Sequence, residues 1–508
     1  MKKIMAAVAA GVMMLGTASF ASAASTITVG GSIEENYRIQ GNTDLGGSYF
    51  GATKTTINPA HHDSASAFST RILLNVDAKI ADGLSAFVEL DTPTSEMNWG
   101  GAPALNHQAG TMNIKQAWIN FMVPGAPVGI KIGHQPLALG HGIFLDTSRM
   151  GSDAILAYSK PLPELLVAGV YIKGVEQGLT TATPILAKNN DADFYAMLAN
   201  YTFMPGNTVG VNVTYVNDRK LLGPVGLVTG WANDVTAYNI GLIADGAVSG
   251  INYKAEFDYI HENAENAMGS NKDWTLDAWA AMLGVSAKVA MVNVALEGAY
   301  GTGNQDNDPS VANSAVGFRG GNIGTKGGVA APVPGLPGAG SATGRTDHAY
   351  TTPYGATSYN YAFIYNDKVG QGPQGSGGGF GFGDGFGGFG LANTGYVKLS
   401  VSGAPMDKLT AGLDVLYLRA SENAVANIKM NTGATTWART TSKDLGWEID
   451  ANADYKVYDN LTLSLRGGVF MPGAWYEYSD QPLIPAASRV KQQTENAYAF
   501  ESKLKVNF

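Results

Sequence analysis

Segment after segment of this chain separates into an apolar and a polar face at a period of two residues. Beyond the first residues, no stretch approaches the ~20 consecutive apolar residues that a membrane-spanning helix needs. Period two belongs to a strand, whose side chains point alternately to opposite faces. Ile27, Val29, Gly31, Ile33, Tyr37 and Ile39 alternate with Thr28, Ser32, Glu34, Asn36 and Arg38. Ile251, Tyr253, Ala255, Phe257 and Tyr259 alternate with Asn252, Lys254, Glu256 and Asp258. Leu445, Trp447, Ile449, Ala451, Ala453, Tyr455 and Val457 stand against Gly446, Glu448, Asp450, Asn452, Asp454 and Lys456. Charges on one face and an apolar stripe on the other suit a wall between lipid and water. Composition agrees: only 15% of residues are charged, few for a soluble surface of this size, while Gly (65) and Tyr (23) are plentiful.

A soluble β-sandwich shows the same local alternation, so the connections must decide. The pattern predicts strands over 27–40, 66–80, 84–92, 111–123, 128–135, 153–160, 165–176, 191–203 and 208–219. The second half predicts 234–246, 250–261, 274–289, 292–301, 391–402, 408–420, 443–457, 461–471 and 494–508. Short gaps with compact turn chemistry, such as Ala81-Asp82-Gly83 and Met204-Pro205-Gly206-Asn207, then alternate with long polar ones. That alternation predicts an all-β, transmembrane, antiparallel up-and-down β-barrel of about 18 strands, with short periplasmic turns and long extracellular loops. Sixteen is the alternative, because 111–123, 153–160 and 165–176 are fairly apolar on both faces. Outward strands should carry aromatics at the outer interface, and Tyr37, Tyr171, Tyr215, Tyr259, Tyr300 and Tyr417 sit there; Phe121, Tyr201 and Phe203 fall at the opposite end.

Both ends carry expectations of export and insertion. Lys2 and Lys3 followed by apolar Ile4 to Phe20 and by Ala21-Ser22-Ala23 read as a signal peptide over 1–23, cleaved between Ala23 and Ala24. An uncleaved anchor is the other reading. Residues 24–508 then form the barrel. At the far end Tyr498, Phe500, Ser502, Leu504, Val506 and Phe508 share one face, and a terminal Phe508 resembles the signal recognised by the barrel-assembly machinery. The expected location is the outer membrane of a Gram-negative cell, in contact with lipid and lipopolysaccharide. With no Cys there is no disulfide framework, thiolate metal site or c-type haem attachment. The formal charge of −9 becomes about −11 once Lys2 and Lys3 are removed, which argues against nucleic-acid binding.

The polar faces hold the candidate pore-lining residues: Arg38, Arg71, Lys131, Lys254, Glu256, Asp258, Glu448, Asp450, Arg466 and Lys503, with Glu297 and Lys398 among further members. Their signs are interleaved, so each either pairs across strands or sets solute preference at a narrow point. The third external loop, Pro136 to Ser152, is the constriction candidate. Gly140 and Gly142 give it freedom to bend inward, and it carries His141, Asp146 and Arg149. The connection over about 302–390 is far longer than an ordinary loop and ends in a Gly-rich run. Its tyrosine-rich middle, His348 to Asp367, is expected to fold over the mouth. His61-His62-Asp63 and the Asp306/Asp308 turn lack the convergence of a metal site, so no metal or cofactor is expected. No nucleophile elbow or triad spacing singles out a catalytic group, so no enzyme is expected.

Two segments are similar to the alginate-export family and related porins of environmental proteobacteria. Gly133-His134-Gln135-Pro136 through Phe144-Leu145-Asp146 resembles that family's Gly-Arg-Gln stretch and the loop after it. Leu445 to Asp450, Asn460 to Leu463 and Gly468 to Gly473 resemble its closing hairpin. The resemblance implies an eighteen-stranded barrel. His134 stands where that family has arginine and the polar faces mix signs, so a polyanion exporter is not implied. The leading expectation is passive diffusion of ions and small hydrophilic solutes. The alternatives are a scaffold sheathing a partner such as a multihaem cytochrome, or a surface receptor or adhesin acting through 302–390. A homotrimer is open.

Overall fold

The computed structural model of the protein describes residues 25–41, 64–92, 97–98, 112–148, 151–175, 191–218, 235–264, 274–303, 346–347, 359–365, 391, 393–422, 425–429, 435–439, 442–474, 479–480 and 495–508. Its wall begins with strands β1 (Thr26–Gly41), β2 (Ser64–Ala81), β3 (Leu84–Asp91), β4 (Asn113–Met122), β5 (Val128–Gln135) and β6 (Ser152–Leu162). It continues through β7 (Leu165–Val175), β8 (Ala192–Met204), β9 (Asn207–Asp218), β10 (Val235–Val248), β11 (Ile251–Ala264) and β12 (Trp274–Val289). It ends with β13 (Val292–Gly301), β14 (Thr394–Met406), β15 (Leu409–Ala420), β16 (Asp444–Tyr458), β17 (Leu461–Pro472) and β18 (Ala497–Asn507). Each strand pairs antiparallel with the next, and β18 pairs with β1 from Asn507↔Ser32 to Tyr498↔Gly41. The sheet is therefore a closed barrel of eighteen strands with no open edge to template pairing with another chain.

The faces follow the alternation read from the sequence, with the soluble rule inverted. Met197 (73% exposed), Leu283 (61%) and Val397 (53%) stand on the outside, whereas Glu34, Glu256, Asp258, Glu448 and Glu501 are buried on the inside. An apolar exterior around a charged interior is stable only where the outer solvent is hydrocarbon. An aromatic belt circles the long-connection end of that exterior. The rings of Tyr171, Tyr195, Tyr215 and Tyr238 follow one another at 5.3, 6.2 and 5.0 Å. Trp279–Tyr300 at 5.2 Å and Tyr417–Trp447 at 5.0 Å carry the belt onward. Turns at the other end are tight. Between β10 and β11, Ser249 and Gly250 both take positive φ (52° and 81°), the twist-matched two-residue hairpin loop.

Two features depart from the sequence reading. Leu445, expected on the outward apolar face of β16, is only 3% exposed. The register between β15 and β16 slips there, from Leu418↔Gly446 to Arg419↔Asp444, so a bulge at Gly446 (φ 118°) turns Leu445 inward. Short strands Val425–Lys429, Thr435–Arg439 and Ser479–Asp480 form a separate small sheet in the connections flanking β16 and β17. In agreement with the expected eighteen strands, β4, β6 and β7 are full members of the wall, which excludes the alternative of sixteen. Ala154, Val170 and Ile172 belong to a buried cluster with Leu139, Ile143, Phe144 and Leu145 of the third loop. The strands with two apolar faces include those whose inner face packs against that loop.

Candidate functional site: the constricted lumen

Two segments turn into the barrel from its long-connection end. The first is the third loop. Leu139 N–H donates to Leu145 O (2.9 Å), Thr147 N–H to Leu137 O (2.7 Å) and Gly142 N–H to Leu139 O (3.0 Å), so the chain doubles back as a compact finger. Its tip rests on the inner face of β11, where His141 N–H donates to Glu256 Oε2 at 2.5 Å. Gly140 makes this approach possible. Its φ is 57°, and a Cβ there would lie 2.5 Å from the Glu256 carboxylate. The apolar flank of the finger, Leu139, Ile143, Phe144 and Leu145, is buried.

The second segment is 359–365, inside the longest connection. Ile364 N–H and Tyr365 N–H donate to the two oxygens of Glu448 (2.6 and 2.9 Å), and Phe363 N–H donates to Asp450 Oδ2 (3.2 Å). A buried carboxylate on β16 thus supplies acceptors for backbone donors that have left every sheet. Lys398 Nζ donates to Tyr361 O (3.3 Å), the Tyr361 ring stacks on Tyr396 at 4.3 Å, and Arg38 lies 5.6 Å from the centre of the Phe363 ring. The described part of the tyrosine-rich stretch, 359–365, therefore enters the lumen, while the rest of His348 to Asp367 lies outside the described residues.

Glu-x-Asp recurs at both contacts: Glu256 and Asp258 under the finger, Glu448 and Asp450 under the second segment. Each carboxylate, read from sequence as pore lining, is on the inner wall, and each pair anchors an inserted segment. A cavity of about 420 Å³ remains beside 359–365, lined by Asn360, Phe363, Lys398, Asp414, Asn452 and Arg466 among others.

The remaining inward charges form ladders along the wall. Lys505 pairs with Glu34 (2.8 Å), Glu34 with Arg71 (4.0 Å), and Arg71 holds Asp91 through two bonds of 3.0 and 2.6 Å. Glu501 meets Arg38 at 4.0 Å and Lys503 at 3.7 Å. Lys254 crosses over Gly284, where a Cβ would meet its side chain at 2.9 Å, and reaches Glu297 on β13 at 2.6 Å. Glu297 also takes Lys398 (3.5 Å) and the Tyr396 hydroxyl (2.5 Å). Lys131 sits over the Trp118 ring at 3.9 Å.

At the loop itself, burial pushes the His141 imidazole below its ordinary pKa, against the pull of Asp245, whose carboxylate is 3.3 Å away. Burial likewise raises the phenols of Tyr359 and Tyr361, and that of Tyr365 to about 12, so all three stay protonated. Asp146 accepts the Ser148 N–H (2.9 Å) and shapes the finger's own backbone. Arg149, Ala23, Ala24, His61-His62-Asp63 and Asp306/Asp308 lie outside the described residues. His134 faces away from the lumen, 2.8 Å from Asp153 on the outer side of the wall. Phe508 joins β1 through a reciprocal pair of backbone bonds with Gly31 (3.0 and 3.1 Å). Sequence reasoning missed Gln135, which is fully buried and donates to Ala154 O (3.0 Å) at the root of the finger. Among the described residues, no group of three or more His, Cys, Asp or Glu side chains is arranged to hold a metal.

Wall and inserted segments define a membrane-spanning β-barrel with a constricted, charge-lined lumen. No family model and no curated protein matches the chain. Solved structures similar to it include the outer membrane protein opdK from Pseudomonas aeruginosa, at 10% identity and a TM-score of 0.47, covering 95% of this chain and 99% of that one. A BenF-like porin from Pseudomonas fluorescens Pf-5 is similar at 10% identity and 0.46, covering 95% and 98%. OccK11 (OpdR) of Pseudomonas aeruginosa is similar at 10% and 0.47, covering 94% and 95%.

Proposed function

We propose that this protein is an outer-membrane porin through which ions and small hydrophilic solutes diffuse passively. The observation that carries this reading is the closed barrel whose apolar outside and charged inside are separated by a single wall, with two segments narrowing the lumen. Most inward charges are paired in ladders, and such pairs present little net field to a passing solute. Among the described residues, Arg466 and Lys131 form no ion pair, so we assign them the larger share of solute preference.

The same reading places lipid and lipopolysaccharide against the aromatic belt. It assigns Phe508 to recognition by the barrel-assembly machinery, and residues 1–23 to a signal removed between Ala23 and Ala24. Kinship with the alginate-export group rests on the finger and on the β16–β17 hairpin. The scaffold alternative is less favoured, because a multihaem cytochrome threaded through the lumen would displace both inserted segments from their carboxylates. A receptor role for 302–390 has to accommodate the inward course of 359–365.

The test is single-channel conductance of the refolded protein in a planar bilayer, with the reversal potential measured across a salt gradient. Discrete ohmic steps are expected, and Arg466→Glu shifts the reversal potential toward cation preference. A folded barrel that passes no current at any voltage would overturn the proposal.

A further inference from the structure

The cavity beside 359–365 is bordered by charges of both signs that the protein leaves unmatched. Arg466 reaches it from β17, Asp414 from β15 and Asp450 from β16. Among the described residues Arg466 forms no ion pair, and Asp414 forms neither an ion pair nor a hydrogen bond. Asp450 accepts the Phe363 N–H through Oδ2, but its Oδ1 has no partner although the residue is only 7% exposed. Lys398, the other cation at the margin, is engaged with Tyr361 O at 3.3 Å and with Glu297 at 3.5 Å.

Register shows how near these groups stand. Asp414 lies directly opposite Asp450 across the β15–β16 ladder, and Asp450 opposite Gly468 of β17. Arg466, two residues before Gly468 on the same face, is thus the diagonal neighbour of Asp450, at the ~7–8 Å typical of such pairs. Gly468 keeps the space between them open: a Cβ there would lie 2.2 Å from Asp450 Oδ1 and 3.1 Å from the Phe363 ring. In the row of Arg466, Asn452 leans over Gly412, where a Cβ would meet its amide at 3.0 Å. Like charges directly opposite each other destabilise a sheet. The wall therefore keeps Asp414 against Asp450 at a cost that a positive group placed between them would offset.

We propose that this cavity is a binding site for a zwitterion of the α-amino acid class passing through the constriction. Its ammonium sits between Asp414 and Asp450 Oδ1, with Asn452 beside it, and its carboxylate on Arg466. The inference rests on the reading of the protein as an open channel and names a solute class for it. A plain anion drawn to Arg466 meets two carboxylates one row away. A plain cation drawn to the carboxylates meets Arg466 on one side and Lys398 on the other. A solute with both charges on neighbouring atoms satisfies both rows, and the planar guanidinium suits a carboxylate through two parallel bonds. The volume of about 420 Å³ falls within the roughly 300–1,000 Å³ of small-molecule sites. Phe363 closes one side and offers an apolar surface to a small side chain.

The test is current recording through the refolded full chain in a planar bilayer at neutral pH, with L-alanine as the probe. L-alanine carries no net charge there, so it alters the current only by occupying the path. Saturable interruptions of the current are expected with L-alanine. Lactate, which lacks the ammonium, and isopropylammonium, which lacks the carboxylate, should act at least about 10-fold more weakly. In Asp414→Asn and in Arg466→Gln the apparent affinity for L-alanine should fall more than about 10-fold. Heat-modifiable gel migration establishes that each variant is folded. Ordinary conductance steps that ignore L-alanine, an equal response to lactate, or unchanged affinity in the folded variants overturns the zwitterion site and leaves the channel reading standing. A folded barrel that passes no current removes both.

Discussion

Glu448 does what no short-range pattern would assign to it: it sits on a strand and accepts the backbone of a segment more than eighty positions away in the chain, at Ile364 and Tyr365. Hydrogen bonds to a charged acceptor are worth about 1.5–3 kcal/mol each. Glu448→Gln keeps the shape but leaves one oxygen and turns the other position into a donor facing a donor. Single-channel recordings of that variant should show larger or noisier steps than the parent. Unchanged conductance would mean that 359–365 does not narrow the path. His141 offers a second readout. Burial lowers its pKa, so the docked finger holds the neutral ring. The stability this contributes is complete above the ordinary imidazole value of ~6.5 and is lost as pH falls through the lower docked value. Acidification on the long-connection side should therefore increase gating noise in the parent and less so in His141→Gln. At this scale the sequence was half legible. Its alternation put Glu256, Asp258, Glu448 and Asp450 on the inner face, but nothing local distinguishes a carboxylate that meets a solute from one that holds a peptide.

Strands were the most legible level, because each must cross the same thickness with the same two-sided solvent. The expected limits of 274–289 and 292–301 coincide with β12 and β13. Legibility failed where a strand faces protein instead of water. The inner faces of β6 and β7 are apolar because they pack the finger, and no period within those strands announces a loop from elsewhere. It failed again at Leu445, where one extra residue reverses the parity. The outer face allows a direct test. Leu283 lies near the middle of β12, 61% exposed on the outside. Leu283→Arg should destabilise the barrel by about 2–4 kcal/mol in denaturant titrations in lipid vesicles, the cost of a charge at mid-bilayer. A change near zero would place that face against protein or water.

For the whole molecule, the two inserted segments and the wall form one object. Lys254, Glu297, Lys398, Tyr396 and Tyr359 join in a continuous chain of polar contacts from β11, next to the finger, to the second segment. Closure was legible in the alternation of short and long gaps along about eighteen strands, while the partition of the interior was not, because it depends on contacts between distant parts of the chain. The seam has a consequence of its own. β1 lies between β2 and β18, and Phe508 is bonded to Gly31 across it. While β18 is missing, β1 and β17 are raw edges, with rows of backbone donors and acceptors that hydrocarbon cannot satisfy. A half-made wall has no stable place in the membrane. The wall gains a stable place in the bilayer only when its two ends meet.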